Sequence, residues 1–397
     1  MLVSTVELAW RAKRAGELGI RGTEGIGLDW RAVIARKNRL VASWSEGKPE
    51  AIARQGIAVL RGRARFAGPH EIAVEGHRVT AERIVLATGS APAWPAIEGI
   101  ERTLASDQLL DEPTLPRRLV VIGGGAIGME LGFAFGRAGA RVTILQSGDH
   151  VLPAADGELR DALVTLAADA GIEVRTGARV SRVAPGLTVE AEVGGRAERF
   201  PADTVLVATG RLPNTSDLGL ELGGIALDRG AVRVNEFRQS TSAPHVYAAG
   251  DVTGSHQHTP AAWYEGQLVA ENALRGNRRT ADFSVFPTAT FTIPALAQVG
   301  VTEEAARRQG ARVTVARAPF ADSSAAGVRG ETEGLVKVVF DEPTGRVLGV
   351  HVLGPGAEDL IHIGAVAMRA GLRRDDLAGM HYVFPTLAGS VFDAMWP

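Results

Sequence analysis

Apolar residues in the first 55 positions recur with the period of a helix. Trp30, Val33, Ile34, Leu40, Val41 and Trp44 form one stripe, and Asp29 stands where an N-cap belongs. Short apolar runs bounded by turn residues then predict strands over 57–62, 71–76 and 83–89. Beyond Pro113 and Pro116 the pattern becomes apolar strand, glycine turn and helix, in RRLVVIGGGAIGMELGFAFGRAGARVTILQ. An amphipathic helix over 158–171 and the strand-like pieces GIEVRTG, LTVEAEV and DTVLVATG follow. Together these predict an α/β arrangement with a parallel sheet and a small antiparallel appendage. From about 285 the character changes to two strand runs joined by DEPTGR, then a helix carrying Leu360, Ile361, Ala365, Val366 and Met368. That tail reads as a separate α+β unit.

Composition narrows the function by exclusion. A formal charge of −2 gives no electrostatic reason to expect nucleic acid or an anionic membrane, so ligands are expected in pockets. No stretch approaches the ~20 apolar residues of a membrane span. The start, MLVSTVELAWRAKR, places Glu7 and Arg11 where a signal peptide has its apolar core, which points to a cytoplasmic protein. Cysteine is absent from all 397 residues, which removes disulfides, thiolate metal sites and dithiol chemistry from this chain. His256 and His258 are the nearest approach to a metal pair, and no clustered acid completes a zinc set.

Gly123, Gly125 and Gly128 form G-x-G-x-x-G directly after the apolar run 119–122 and open a helix at Ala126 and Ile127. The first glycine permits a tight turn, the second lets backbone approach a diphosphate, and the third lets the helix pack on the strand. A diphosphate would then meet the free N–H groups of a helix N-terminus. The next strand, RVTIL, should end on an acid that holds the ribose of NAD. It ends on Gln146, which can bond a hydroxyl and does not repel a 2′-phosphate, so NAD and NADP both stay open.

Four motifs in order, LATGSAP, GGGAIGME, VATGRLPN and VYAAGDV, resemble the pyridine nucleotide–disulfide oxidoreductase family, and the resemblance runs to FPTLAG near the end. It implies two Rossmann-like dinucleotide-binding domains and a C-terminal α+β dimerisation domain. The expected division is a discontinuous FAD-binding domain at 1–115 and 240–283, an NAD(P)-binding domain at 116–239 and a dimerisation domain at 284–397. By the same resemblance Asp251 bonds the ribityl chain of FAD, and Thr88 and Gly89 lie against the flavin cofactor. Gln257, His258 and Thr259 run beneath the flavin, Gly210 lies against the nicotinamide dinucleotide, and Glu130 stands beside both rings as the catalytic candidate. A homodimer is implied.

Departures from the family pattern shape the functional expectation. The family begins with a further G-x-G-x-x-G βαβ unit and a C-x-x-x-x-C redox pair. Neither is present here, so an opening of at least ~30 residues is expected to be missing and the flavin domain N-terminally incomplete. The proton-handling His that the family places before Pro-Thr is here Phe384, before Pro385-Thr386, and the Glu that follows it is Gly389. His381 lies three residues too early to replace it. The expectation is an FAD-dependent oxidoreductase that moves hydride from NAD(P)H to flavin and on to a small-molecule acceptor without a dithiol step. The competing expectation is a truncated, redox-inactive NAD(P)-binding and dimerising protein unable to hold FAD.

Overall fold

The run Leu119–Ile122 is buried on both faces, as its unbroken apolar pattern requires of a central parallel strand. In the computed structural model, which describes residues 1–396, it is the second strand of a four-stranded parallel sheet. The order is Thr204–Val207, Arg118–Ile122, Arg141–Leu145, Ile172–Arg175. The helix Ala126–Ala138 covers one face with Met129, Phe133 and Phe135, all fully buried. Removing a ring such as that of Phe133 costs about 3–5 kcal/mol, because the cavity left behind closes only in part. The helices Leu2–Arg14 and Trp30–Glu46 add Leu2, Val6, Trp30, Val33 and Ile34 to the same core. The Trp30 ring sits 4.8 Å from that of Phe135, and its Nε1–H donates to the Glu112 carbonyl. Leu159, Leu163 and Ala167 of the helix Gly157–Asp169 complete the packing. The opposite face is closed by the antiparallel appendage Ala178–Ala184, Thr188–Val193 and Arg196–Pro201.

The C-terminal segment forms a five-stranded antiparallel sheet. Its order is Thr288–Thr290, Ala295–Gly300, Val347–Gly354, Leu335–Asp341, Val313–Pro319, with the helix Ala357–Arg369 packed against it. This matches the expected α+β tail.

By contact density the chain divides into two units. One holds residues 1–40, 94–209 and 284 onward; the other holds 41–93 and 210–283. These contact units meet near 93 and 209, and the first joins the nucleotide-binding and C-terminal segments. Leu104 N–H bonds to Val205, and the strand Thr204–Val207 pairs with Arg118–Ile122, which ties 94–115 to the nucleotide sheet. The second unit has a two-stranded parallel sheet, Ile84–Leu86 with Val246–Ala248, and a meander of Ala64–Gly68, Glu71–Val74 and His77–Thr80. The helix Thr259–Arg275 follows.

Two expectations are corrected. Residues 57–62 form no strand; the strand lies at Ala64–Gly68, and Ile57, Val59 and Leu60 are exposed without a pairing partner among the described residues. The stripe on Trp30–Glu46 is buried only through Ile34, whereas Val41 and Trp44 are exposed. Asp29 does cap that helix, accepting from the Ala32 N–H at 3.0 Å.

Candidate dinucleotide sites

The strand Arg118–Ile122 hands the chain to Gly123, whose φ of +112° is open to glycine and strained for other residues. A Cβ there would stand 2.3 Å from the Ala208 carbonyl oxygen, and one on Gly128 would stand 2.0 Å from that of Gly123. Both glycines are sealed by backbone. Gly125 is the opposite case: its backbone is extended and a Cβ would meet nothing within 4 Å. The open space lies at the start of the helix Ala126–Ala138, whose N-terminus no side chain caps. Orphan N–H groups and the positive end of the helix dipole therefore face a position with room for an anion. Ala126 is exposed and Ile127 half-buried at that turn.

Gln146 directly follows the neighbouring strand Arg141–Leu145, and its Oε1 accepts the Gly124 N–H at 2.9 Å. Because the donor is an N–H, the accepting atom is the side-chain oxygen, and the amide NH₂ takes no part in that bond. Glu130 lies one turn into the helix and accepts the Phe291 N–H at 3.0 Å. Burial pushes its carboxyl above the ordinary carboxylate range, and the Phe291 bond works in the other direction.

In the second unit Asp251 follows the buried strand Val246–Ala248 by way of Gly250, whose φ is +76°. Its Oδ2 accepts from Ser90 Oγ at 2.6 Å, and the Arg211 guanidinium stands 3.9 Å away. Arg211 donates from Nε to Ser90 Oγ at 2.7 Å and from Nη2 to the Ser90 carbonyl at 2.8 Å. Thr88 Oγ1 donates to the Asn214 carbonyl, and Asn214 Nδ2 returns a bond to the Thr88 carbonyl. Gly89 has a φ of +70° with open space where a Cβ would be, and Gly210, with a φ of +112°, is equally open. Gln257 Nε2 donates to the Arg211 carbonyl at 3.4 Å, His258 is the N-cap residue of Thr259–Arg275, and Thr259 is its first residue.

Sequence reasoning missed the groups that brace these residues. Ser90 and Arg211 belong to the echoing segments LATGSAP and VATGRLP, which pair as an antiparallel ribbon with Arg211 opposite Pro92 and Pro213 opposite Ser90. The echo itself was the available signal. Glu265 gave none: it is fully buried, accepts the Gly250 N–H at 2.7 Å and pairs with Arg238 at 2.9 Å.

A glycine turn between a buried parallel strand and an uncapped helix defines a dinucleotide-binding fold, and the Gly125 opening fits a diphosphate. The open Gly89 and the carboxylate of Asp251 likewise fit a polyol chain with hydroxyl donors. The sequence model of pyridine nucleotide-disulphide oxidoreductases matches residues 21–266, and that of their dimerisation domain matches 286–395. The chain is 39% identical to a dihydrolipoyl dehydrogenase of Thermus scotoductus, over 94% of this chain and 84% of that one. It is 35% identical to a mercuric reductase of Lysinibacillus sphaericus, over 91% and 67%. The solved structure of the HOCl-induced flavoprotein disulfide reductase RclA from Escherichia coli superposes with a TM-score of 0.86 at 30% identity, covering 98% of this chain and 89% of that one. This chain belongs to the pyridine nucleotide–disulphide oxidoreductase family, with a mixed α/β fold of two dinucleotide-binding domains and a C-terminal dimerisation domain. Members of the family use FAD and NAD(P)H. No helix among the described residues is long and apolar enough to cross a membrane.

Proposed function

We propose that this chain is an FAD-dependent oxidoreductase that takes hydride from NAD(P)H and delivers electrons to a small-molecule acceptor, with no dithiol of its own in the path. When bound, the nicotinamide and flavin supply the electron chemistry, and the protein supplies binding, orientation and electrostatics. The observation that carries the reading is the contrast within the glycine turn: Gly123 and Gly128 are sealed while Gly125 opens on an uncapped helix N-terminus. In this reading the N–H groups of Gly125, Ala126 and Ile127 hold the diphosphate, and Gln146 holds a ribose through its NH₂. Gly128 sets the helix against the strand. Gly210 leaves room for the same dinucleotide. Asp251 keeps Oδ1 for a ribityl hydroxyl while Ser90 and Arg211 fix Oδ2. Thr88 and Gly89 line the flavin cofactor, and Gln257, His258 and Thr259 run beneath its ring. Glu130, with Oε1 held by Phe291, retains a proton on its other oxygen more readily than an exposed acid.

The absence of cysteine from the 397 residues supports direct transfer from reduced flavin to an acceptor such as a quinone, a dye, oxygen or a second nicotinamide. A cytoplasmic homodimer assembled through 286–395 completes the proposal. Two observations favour a second reading, a redox-inactive protein that binds NAD(P) and dimerises but does not hold FAD. The parallel sheet of the second unit has two strands among the described residues, and Asp251 already has protein partners. Absorbance in the flavin band and its anaerobic bleaching by NADH or NADPH separate the two. A colourless protein that still binds NAD(P)H would sink the first reading.

A further inference from the structure

The C-terminal sheet is apolar in composition, with Val336, Val338, Val350 and Val352 fully buried. One polar row crosses it. Gln298 stands opposite His351, His351 opposite Lys337, and Lys337 opposite Arg317, across four adjacent strands. Directly paired residues share a face of a sheet, so the four side chains project together. Three of them, Gln298, Lys337 and Arg317, meet one short stretch of the nucleotide-binding segment in sequence order, while His351 Nε2 lies 3.1 Å from the Val301 carbonyl oxygen. Gln298 Nε2 donates to the Ala154 carbonyl at 3.1 Å, Lys337 Nζ lies 3.0 Å from both oxygens of Asp156, and Arg317 Nε donates to Glu158 at 2.7 Å. Glu303 adds a further carboxylate 3.1 Å from Lys337. Lys337 and Asp156 are both nearly fully buried.

A buried ionic set of this kind is a poor way to gain stability, because desolvating the charges offsets their attraction and apolar residues would do as well. In some proteins such a set is kept because it fixes one geometry. The residues just before the clamped stretch back the glycine turn: Leu152 N–H donates to the Gly124 carbonyl at 2.9 Å, Val151 stands 2.5 Å from where a Gly124 Cβ would be, and Ala155 N–H donates to the Leu152 carbonyl at 2.9 Å. Asp156 follows four residues later and caps the helix Gly157–Asp169 through the Glu158 N–H.

We propose that Lys337, with Gln298 and Arg317 beside it, is a positioning residue for the pyridine-nucleotide loop: the dimerisation domain sets the shape of Gly123–Gly125 by clamping 154–158. The inference rests on the nucleotide site proposed above. The test uses the whole protein carrying Lys337→Met with Asp156→Asn, a pair that removes the buried centre of the clamp without leaving its lysine or its aspartate charged and unpartnered, and keeps an N-cap. Two quantities are read: amide hydrogen exchange at Leu152, and the dissociation constants of NADH and NADPH alongside KM and kcat. Exchange at Leu152 should rise, and nucleotide affinity should fall about tenfold as KM climbs more than kcat drops, because a displaced loop loses alignment with the diphosphate. A variant that only loosened the fold would melt earlier with native affinity. Unchanged exchange and affinity in a folded variant would overturn the proposal. If the double variant does not fold, Arg317→Gln, at the exposed end of the row, decides by the same two readouts. A wild-type protein that binds neither nicotinamide refutes the nucleotide reading instead, and Leu152 exchange alone then decides whether the clamp reaches the loop.

Discussion

Replacing Gly125 by valine separates folding from binding. The backbone at Gly125 is extended, which any residue adopts, and a Cβ meets no atom within 4 Å. The fold therefore loses only a modest N-cap preference, about 1 kcal/mol. The valine methyls instead occupy the space before the helix N-terminus, where a diphosphate would accept backbone N–H bonds. Two charge-assisted bonds at about 1.5 kcal/mol each sum to about 3 kcal/mol, or about 150-fold in dissociation constant at 1.4 kcal/mol per decade. Gly123→Ala provides the contrast, because its Cβ would sit 2.3 Å from the Ala208 carbonyl oxygen on a backbone of positive φ. That variant should lose stability and binding together. Titration of NADH and NADPH fluorescence beside a thermal melt reads both quantities. A Gly125→Val protein that bound either nucleotide at native strength would refute the assignment of the loop.

Asp251→Ala should lower flavin content in the purified protein and release Ser90 and Arg211; flavin content equal to wild type would remove Asp251 from the site. Glu130→Gln tests the raised carboxyl. A carboxyl whose native pKa lies above its unfolded value of 4.5 loses its stabilising effect as pH rises through that range. The Gln variant should therefore match wild type below about pH 4 and become relatively more stable toward neutrality. Melting curves showing a pH-independent difference would contradict this. His351 is 1% exposed and burial holds its pKa below 6.5. Protonation thus favours the unfolded chain, and stability should fall by at most about 1.4 kcal/mol per pH unit below about 6.5 until the native value is reached. His351→Leu should flatten that slope, and an unaltered slope would exonerate the imidazole.

Much of this architecture was legible because its signals are local. The run 119–122 followed by Gly123, Gly125 and Gly128 encodes strand, turn and helix within a dozen residues, with Gly123 and Gly128 sealed by backbone and Gly125 open. DEPTGR likewise marked the turn between Leu335–Asp341 and Val347–Gly354. Illegible features depend on residues distant in sequence. Nothing near Asp251 announces Ser90, 161 positions away, as its partner. Lys337 reads as an ordinary strand residue until Asp156, 181 positions earlier, lies beside it. The misplaced strand at 57–62 failed for a related reason, since apolar spacing proposes a strand but only a neighbour completes one.

The pairing of Ile84–Leu86 with Val246–Ala248 has a consequence for synthesis. The earlier strand leaves the ribosome roughly 160 residues before its mate, a wait of about ten to thirty seconds at cellular elongation rates. During that interval its backbone is an open template and the greasy residues around it have no home. The nascent chain must be sheltered, by chaperones or by the nucleotide-binding segment folding first, until translation reaches position 248.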